Sequence, residues 1–388
     1  MDFLTKPSPA GIYIHIPFCA QKCLYCDFYS ITDLSLQDTF LEALFREITA
    51  TKSLLHFDSL YIGGGTPSIL PARQIGRIIE RISGQFHLDE SAEITLEVNP
   101  GTVTLESLKT YRQMGVTRLN IGIQSFQDNH LQWLGRMHSA DAAKGSILWA
   151  RAAGFDQIGM DLIYGLPGQS RQVWLADLFQ ALSFDPEHLS CYMLTCEPET
   201  PLDRMRQHQE FKAMADGDVC DLFEATVTEL SGKGYPLYEI SNFARKSSNP
   251  PEVNRSRHNQ KYWTDAPYLG FGPAAHSYLN PVRYRNHRDI ASYLADLNNG
   301  TFPIAEKETL SLEQQLMETV FLRLRTLEGI SIRQFEKKSG RPFYILFQDI
   351  LTDPELKEFI TLTPDYCSLT FQGMMVLDSI AGMFVDRI

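Results

Sequence analysis

The chain has 388 residues, of which 44% are hydrophobic and 21% charged, so a disordered or fibrous protein is excluded and about two to three globular domains are expected. The net charge of −12, from 35 basic and 47 acidic residues, argues against nucleic acid as a partner. No apolar run approaches the ~18 residues of a transmembrane helix. The N-terminal decapeptide MDFLTKPSPA has no apolar stretch of a secretory signal, so a cytoplasmic location is expected.

Short β-branched segments alternate with segments of helical periodicity between residues 11 and 200. Such an alternation is typical of a parallel sheet with right-handed helical crossovers, which makes the fold class α/β. Periodicity alone does not distinguish an open doubly wound sheet from a partial barrel. The predicted strands are Gly11–Pro17, Ser59–Ile62, Glu93–Val98, Arg118–Gln124, Gln157–Tyr164 and His188–Leu194.

A domain boundary is predicted near Gly300. Residues 1–300 would form the larger domain, with its core at about 11–200 and a further region at 245–290. In residues 301–388, Ser311 and Gln314 form a capping-box pattern that opens a helix, and further helices and a small hairpin follow. This pattern indicates a winged-helix-like module. Because this region contains 9 basic and 13 acidic residues, we expect it to have a packing or docking role rather than to bind DNA.

Three of the seven cysteines, Cys19, Cys23 and Cys26, form a C-x3-C-x2-C cluster directly after the first predicted strand. An odd number of cysteines in a cytoplasmic chain favours metal or redox chemistry over disulfides. A structural zinc site needs four ligands, and the nearest candidate, His15, lies inside the strand. A [4Fe–4S] cluster held by three thiolates would keep one iron open for a small molecule. The spacing therefore favours such a cluster, with zinc as the alternative.

Polar and glycine residues follow the other predicted strands at the point where each strand ends. They are the run Gly63–Pro67 (GGGTP), Glu97, Gln124, Arg136 and Asp161. Ligands of parallel β/α folds gather at the carboxyl ends of the strands. We therefore expect these residues to line one binding site beside the cysteines.

The segment YIHIPFCAQKCLYC, from Tyr13 to Cys26, resembles the radical S-adenosylmethionine (SAM) superfamily. The motifs HIPFC, GGGTPS, EVNPGT, NIGIQSF, DLIYGLPGQ and GFGPAAHSY are similar, within it, to the oxygen-independent coproporphyrinogen III oxidase group. This resemblance implies a partial (β/α)6 barrel of the TIM type and a [4Fe–4S] cluster whose open iron chelates SAM. It also implies an electron donor, because an electron from the cluster cleaves SAM to a 5′-deoxyadenosyl radical.

The resemblance also implies a role for individual residues. Cys19, Cys23 and Cys26 would ligate the cluster. Tyr25 would contact SAM largely through its backbone. The full set of implied SAM contacts is Tyr13, Tyr25, Gly64, Gly65, Thr66, Glu97, Gln124, Arg136 and Asp161.

Two departures separate the chain from the oxidases. Phe28 stands where they carry a further cysteine, and the first strand begins by residue 11, without their N-terminal extension. In both respects the chain resembles the HemW-type heme chaperones, as it does in an HNxxYW motif, whose defining residues are His258, Asn259, Tyr262 and Trp263. The resemblance implies heme binding and delivery to acceptor proteins, with transient contact where those acceptors are membrane-bound.

The HNxxYW segment has side chains suited to a porphyrin. A neutral His258 imidazole can ligate iron, and the aromatic rings of Tyr262 and Trp263 can stack on the macrocycle. His15, His138, His276 and His287 are less supported alternative ligands. A basic stretch suited to heme propionates accompanies the motif: Arg245, Lys246, Arg255, Arg257, Arg283, Arg285 and Arg288.

The function predicted from the sequence is therefore a heme carrier with a radical SAM core, and no catalytic residue is assigned. Three alternatives stay open at this point. They are the coproporphyrinogen III oxidase itself, another radical SAM enzyme such as a methyltransferase or cyclopropanase, and a zinc-stabilised module.

Overall fold

The computed structural model describes residues 8–247 and 253–388. Residues 1–7 of the N-terminal decapeptide and residues 248–252 of the 245–290 region lie outside the described residues. In the described part, parallel strands pair in sequence order as β1 (Ala10–Ile16), β2 (His56–Gly64), β3 (His87–Val98), β4 (Arg118–Gln124), β5 (Ile158–Tyr164) and β6 (His188–Met193). The helices of this half are α1 (Gln37–Ala50), α2 (Ala72–Gln85), α3 (Leu105–Gln113), α4 (Asp128–Trp133), α5 (Ala140–Ala152), α6 (Arg171–Leu182), α7 (Pro201–Gln207) and α8 (Asp216–Gly232).

Each of these strands presents an apolar face to the helices and a more polar face to the barrel interior. On β1, Ile12, Ile14 and Ile16 are fully buried in the hydrophobic core. On β3 the alternate residues Thr95 and Glu97 point the other way, because successive side chains of a strand face opposite sides of the sheet. The polar interior is the reason that a ligand site can lie inside this barrel.

The parallel strands do not close on themselves, since β1 pairs with β9 and β6 pairs with β8. The elements that flank the barrel are β7 (Leu237–Glu239), β8 (Asn242–Ala244), α9 (Arg257–Trp263), β9 (Tyr268–Phe271), β10 (His276–Leu279), β11 (Val282–Asn286), α10 (Ile290–Asn298) and β12 (Ile304–Thr309). The α/β fold class, with its partial barrel, is thereby confirmed.

A smaller helical unit completes the chain, with a three-stranded sheet in the order β13-β15-β14. The capping box predicted at Ser311 and Gln314 is present at the start of the first helix. The elements are α11 (Leu312–Leu324), β13 (Ile330–Ser331), α12 (Ile332–Ser339), α13 (Phe343–Leu346), α14 (Gln348–Thr352), β14 (Ile360–Leu362), β15 (Tyr366–Leu369), α15 (Phe371–Met375) and α16 (Leu377–Val385).

The division into domains at residue 300 stays a prediction. Strand β12, which follows that position, still hydrogen-bonds to β11 of the large sheet. None of the helices within residues 8–247 and 253–388 combines the length and hydropathy that a membrane span requires.

Candidate functional site

The three clustered cysteines lie on a short loop that leaves β1 and returns beside it. The backbone N–H of Cys19 donates to the carbonyl of Ile31 at 2.9 Å, and the N–H of Ile31 donates to Pro17 at 2.7 Å. The N–H of Cys26 donates to the Cys23 carbonyl at 3.3 Å, which makes a tight turn between these two cysteines. The loop therefore has a fixed base at the carboxyl end of β1.

The thiols contact two residues that the sequence analysis assigned to the site. Cys19 Sγ lies 3.4 Å from Thr66 Oγ1, and Arg136 donates to Cys23 Sγ at 3.5 Å. Burial raises the pKa of the Cys26 thiol to about 11, and the nearby Cys23 and Cys19 add to this increase. The Cys26 thiol thus lies within electrostatic reach of the other two thiols. In the described ranges, no three or more His, Cys, Asp or Glu side chains lie close enough together to hold a metal ion.

The glycine run after β2 packs directly against the cysteine loop. Gly65 donates its N–H to the Ile16 carbonyl at 2.8 Å. A Cβ at Gly65 would lie 2.7 Å from the carbonyl oxygen of Phe18 and 3.0 Å from Cys19 Sγ. Gly64 has a φ of +113°, a conformation that side chains rarely adopt. Glycine at both positions lets the backbone approach the cysteines.

Glu97, at the end of β3, is a partly buried carboxylate next to the glycine run. Its Oε1 accepts from the Tyr61 hydroxyl at 2.7 Å and its Oε2 from the Gly64 N–H at 3.2 Å. Burial raises the pKa of Glu97 to about 7, although the hydrogen bond from Tyr61 opposes this shift. A carboxylate in this place can accept hydrogen bonds from ligand hydroxyl groups.

Arg136 occupies the centre of the site, between β3 and β4. Its guanidinium donates to Asn99 Oδ1 at 2.6 Å and to the Gly122 carbonyl at 2.8 Å. The buried Nε of Arg136 has no hydrogen-bond partner. A buried unpaired donor on a cation is costly, so this atom is suited to an anionic ligand group.

Asp161 and Gln124 complete the rim on β5 and β4. Asp161 Oδ2 accepts from Asn120 at 2.7 Å, and burial raises the pKa of Asp161 to about 6 while hydrogen bonds from Ser190 and Asn120 lower it. Gln124 is buried with a φ of +66°, at an irregularity in the β4–β5 pairing. Because of this local kink, the Gln124 side chain points in a direction that it would not take in a regular strand.

The two tyrosines assigned to SAM differ in their surroundings. Tyr13 donates or accepts a hydrogen bond with His15 Nδ1 at 3.0 Å in the barrel interior. The ring of Tyr25 packs against the small apolar cluster of Leu134, Ile163 and Leu166, and burial raises its pKa. A Tyr25 side chain anchored in this way is consistent with a ligand contact through its backbone.

The HNxxYW motif forms helix α9 at the amino-terminal ends of β1 and β2, at the opposite end of the barrel from the cysteines. Its imidazole, His258, is 1% exposed, and burial lowers the His258 pKa to about 3. The Trp263 ring is covered by the Arg325 guanidinium, 4.7 Å from the ring centre. The structure therefore does not place His258, Asn259, Tyr262 and Trp263 beside the cysteine cluster, and their role in heme binding stays a prediction.

The basic stretch expected to face heme propionates is largely engaged with carboxylates. Arg283 bonds to both Glu308 and Glu318 at 2.7 Å, and Arg288 lies 3.3 Å from Asp27. The other ion pairs are Arg245 with Asp185 and Glu187, Arg255 with Glu328, and Arg285 with Glu306. These arginines could therefore pair with heme propionates only if their internal ion pairs broke.

Three residues of the site were absent from the sequence prediction: Asn99, Asn120 and Tyr61. Asn99 joins Thr66 to Arg136, since its amide donates to Thr66 Oγ1 at 2.9 Å and accepts from the guanidinium. Asn120 lies two positions before Gly122, whose Cβ direction faces Asn99 and Arg136, so the two-residue period of a strand could have identified it.

Comparisons with known proteins agree with this architecture. The model of the radical SAM superfamily matches residues 13–179, and the model of the HemN C-terminal domain matches residues 310–376. The solved structure of coproporphyrinogen III oxidase (HemN) from Escherichia coli, described as a radical SAM enzyme, superposes with a TM-score of 0.84. It covers 98% of this chain and 91% of that one at 22% identity. The chain is thus a protein of radical SAM fold.

Curated relatives define the family more closely. A heme chaperone HemW from Bacillus subtilis is 33% identical over 97% of this chain and 99% of its own length. Relatives with the same name from Haemophilus influenzae and Escherichia coli are 33% and 31% identical, over 99% and 98% of this chain and the full length of each. The chain belongs to the HemW family.

Proposed function

We propose that the protein is a heme chaperone that carries a [4Fe–4S] cluster, binds SAM and heme, and delivers heme to acceptor proteins. The observation that carries this proposal is the full-length similarity to relatives named heme chaperones. Phe28 supports it as well, because a 67% exposed phenylalanine occupies the position of the additional oxidase cysteine.

Cys19, Cys23 and Cys26 would hold the cluster. Their loop fits that group, because the Cys26 thiol lies within electrostatic reach of the other two and glycine at position 65 lets the backbone pass close to Cys19 without a clash. A bound [4Fe–4S] cluster supplies one-electron chemistry at an iron that three cysteines leave open, with electrons from a separate donor.

SAM would bind across the mouth of the barrel, between the cysteine loop and the ends of the strands. Arg136 would donate to the SAM carboxylate, for which its unpaired Nε is suited. Glu97 would accept from the ribose hydroxyls, and Asp161 from an ammonium or hydroxyl group. The remaining proposed contacts are Tyr13, Tyr25, Gly64, Gly65, Thr66 and Gln124.

In this proposal, the residues that would bind the heme are assigned from the sequence resemblance alone. His258, Asn259, Tyr262 and Trp263 remain the residues that the resemblance implies, but ligation by His258 requires its present hydrogen bonds to break. Acceptors of the heme would include membrane-bound proteins reached by transient contact from the cytoplasm.

Anaerobic reconstitution with iron and sulfide, followed by two parallel assays, tests the function. We expect the protein to bind hemin at about one equivalent and to form no protoporphyrinogen from coproporphyrinogen III in the presence of SAM and dithionite. Formation of protoporphyrinogen would show an oxidase, and absence of hemin binding would refute the carrier.

A cysteine series tests the cluster assignment separately. The triple variant Cys19→Ala, Cys23→Ala and Cys26→Ala should lose the iron and the visible absorbance of the cluster, because its thiolate ligands are gone. Cys220→Ala, on helix α8, is the matched control and should keep both. Equal iron content in the two proteins would contradict the assignment.

A further inference from the structure

Helix α9 packs against β1 and β2 at their amino-terminal ends, and His258 is its most buried side chain. The imidazole Nδ1 lies 3.1 Å from Ser59 Oγ, and its Nε2 lies 3.0 Å from the Tyr262 hydroxyl. The backbone N–H of His258 donates to Glu93 at 3.1 Å. A Cβ at Gly11 would lie 2.9 Å from the imidazole, so β1 leaves space for this ring only by having glycine there. Both imidazole nitrogens, the backbone N–H and the ring of His258 are therefore in contact with the barrel or with α9.

A first string of contacts leads from His258 to the proposed SAM site. The His258 ring packs against the Tyr61 ring, with ring centres 5.3 Å apart and planes inclined by 32°. The Tyr61 hydroxyl donates to Glu97 at 2.7 Å, and the other oxygen of Glu97 accepts from the Gly64 backbone. The imidazole therefore supports, through one aromatic ring, the carboxylate and the glycine run at the mouth.

A second string leads from His258 to the cysteine loop. The ring of Tyr13 lies 6.4 Å from the imidazole, and the Tyr13 hydroxyl lies 3.0 Å from His15 Nδ1. The other ring nitrogen of His15 lies 2.8 Å from the carbonyl oxygen of Tyr29, three residues beyond Cys26. Both series of contacts start at the same histidine and end at the glycine run and the cysteine loop, which pack against each other at the carboxyl ends of β1 and β2.

The other half of α9 is fixed by the carboxyl-terminal helical unit. Arg325 covers the ring of Trp263, and Arg323 donates to the Thr264 carbonyl at 3.3 Å. Asp265 accepts from Thr319 at 2.9 Å. The position of His258 under the barrel is therefore set from outside the barrel as well as from within.

We propose that His258 is a positioning residue for SAM, holding Tyr61 and Tyr13 so that Glu97, the glycine run and the cysteine loop keep their binding geometry. This inference rests on the proposed function only in that SAM binds at the barrel mouth. It competes with the predicted heme-ligand role of His258, because both ring nitrogens and one ring face are engaged in the barrel. A misplacement of about 1 Å at a binding group is enough to cost roughly a hundredfold in function.

The test compares reconstituted wild-type protein with His258→Ala. The readouts are SAM affinity by anaerobic equilibrium dialysis and the change that SAM causes in the electron paramagnetic resonance spectrum of the reduced cluster. We expect the iron content of the variant to match the wild type, its SAM affinity to fall by roughly tenfold to a hundredfold, and the spectral change to be lost. A SAM affinity within twofold of the wild type would overturn the inference.

Two further variants keep the test decisive. Tyr262→Phe removes only the hydroxyl beside His258 and should weaken SAM binding by a few-fold in a protein that keeps its core. Trp174→Phe is the control for a purely structural loss, since it removes a buried 2.7 Å hydrogen bond to Thr226 on an outer helix, and should leave SAM affinity unchanged. Equal effects of Tyr262→Phe and Trp174→Phe would overturn the positioning role.

Hemin titration of the same proteins separates the two roles of His258. Loss of hemin binding by His258→Ala with intact SAM affinity would establish a heme ligand and overturn the inference. Failure of the wild-type protein to bind SAM would instead refute the SAM part of the proposed function, and the inference with it.

Discussion

Contacts of single atoms determine how closely the glycine run approaches the cysteine loop. At Gly65 the missing side chain leaves room for the Phe18 carbonyl oxygen and for Cys19 Sγ, and neither the backbone nor a thiol proposed to ligate the cluster can shift freely. The run GGGTP was expected to line a binding site beside the cysteines, and only the structure shows that Gly65 contacts the cysteine loop itself. One glycine thus links the two motifs.

Gly65→Ala is therefore expected to disrupt the cluster. The added methyl group would lie within 3.0 Å of Cys19 Sγ and must displace the cysteine loop, so iron per protein after reconstitution should fall by at least half. Gly145→Ala is the matched control, because no heavy atom lies within 4 Å of a Cβ added at this position. Gly145 lies in a helix, where alanine is more favourable than glycine. Iron and sulfide analysis checks both variants. Wild-type iron content in Gly65→Ala would show that the loop tolerates the displacement.

At the scale of elements, Glu47 joins three parts of the chain that are distant in sequence. The carboxylate on α1 accepts from Tyr293 on α10 at 2.6 Å, from Asn286 on β11 at 2.6 Å and from the Gly272 N–H at 2.9 Å. Glu47 is 3% exposed, and burial raises its pKa to about 7, although its three hydrogen bonds lower it. The helical periodicity of the sequence does not by itself indicate that a carboxylate lies on the buried face of α1.

The raised pKa of Glu47 predicts a loss of stability with increasing pH. The unfolded chain releases this proton near pH 4.5 and the folded protein near pH 7, so the contribution is complete below about pH 4.5 and is lost as the pH rises to about 7. The difference between the two pKa values corresponds to roughly 3 kcal/mol in the free energy of unfolding. The free energy of unfolding in urea should fall over this range relative to Glu47→Gln, which does not titrate. Glu42→Gln, an exposed change on the same helix, should keep the wild-type pH dependence.

For the whole molecule, the alternation of short strands and amphipathic helices predicted a parallel sheet with helical crossovers, because such segments have few possible arrangements. The choice of a partial barrel over an open sheet came only from the family resemblance. Strand β4 was predicted with the bounds that the structure shows. The place of the HNxxYW helix was not predictable, since its helical residues carry no information on which end of the barrel they cover. The order of charged residues along the sequence also does not show which of them form ion pairs. For this reason the sequence predicted that Arg283 and Arg285 are suited to heme propionates, whereas in the structure both pair with glutamates.

The contact between the barrel sheet and the carboxyl-terminal helical unit depends on a buried carboxylate. Glu239 on β7 is fully buried and pairs with Arg325 at 3.4 Å, beside an isolated bridge between Glu239 and Thr326. Burial raises the pKa of Glu239, and the Arg325 charge opposes that shift. Because removal of one partner leaves the other charge buried and unpaired, Arg325→Met should lower the free energy of unfolding by about 2 kcal/mol, less than for a fully buried pair since Arg325 is partly exposed.

A double-mutant cycle isolates this interaction. Once Glu239→Gln has removed the carboxylate, the additional change Arg325→Met should cost much less than it does in the wild-type background, because no unpaired charge remains. Arg387→Met, which breaks the exposed pair with Asp349, is the surface control and should leave the urea midpoint unchanged. Strict additivity of the two core variants would mean that Arg325 acts only through its cover over Trp263. In that case the junction would depend on aromatic packing and not on the buried charge.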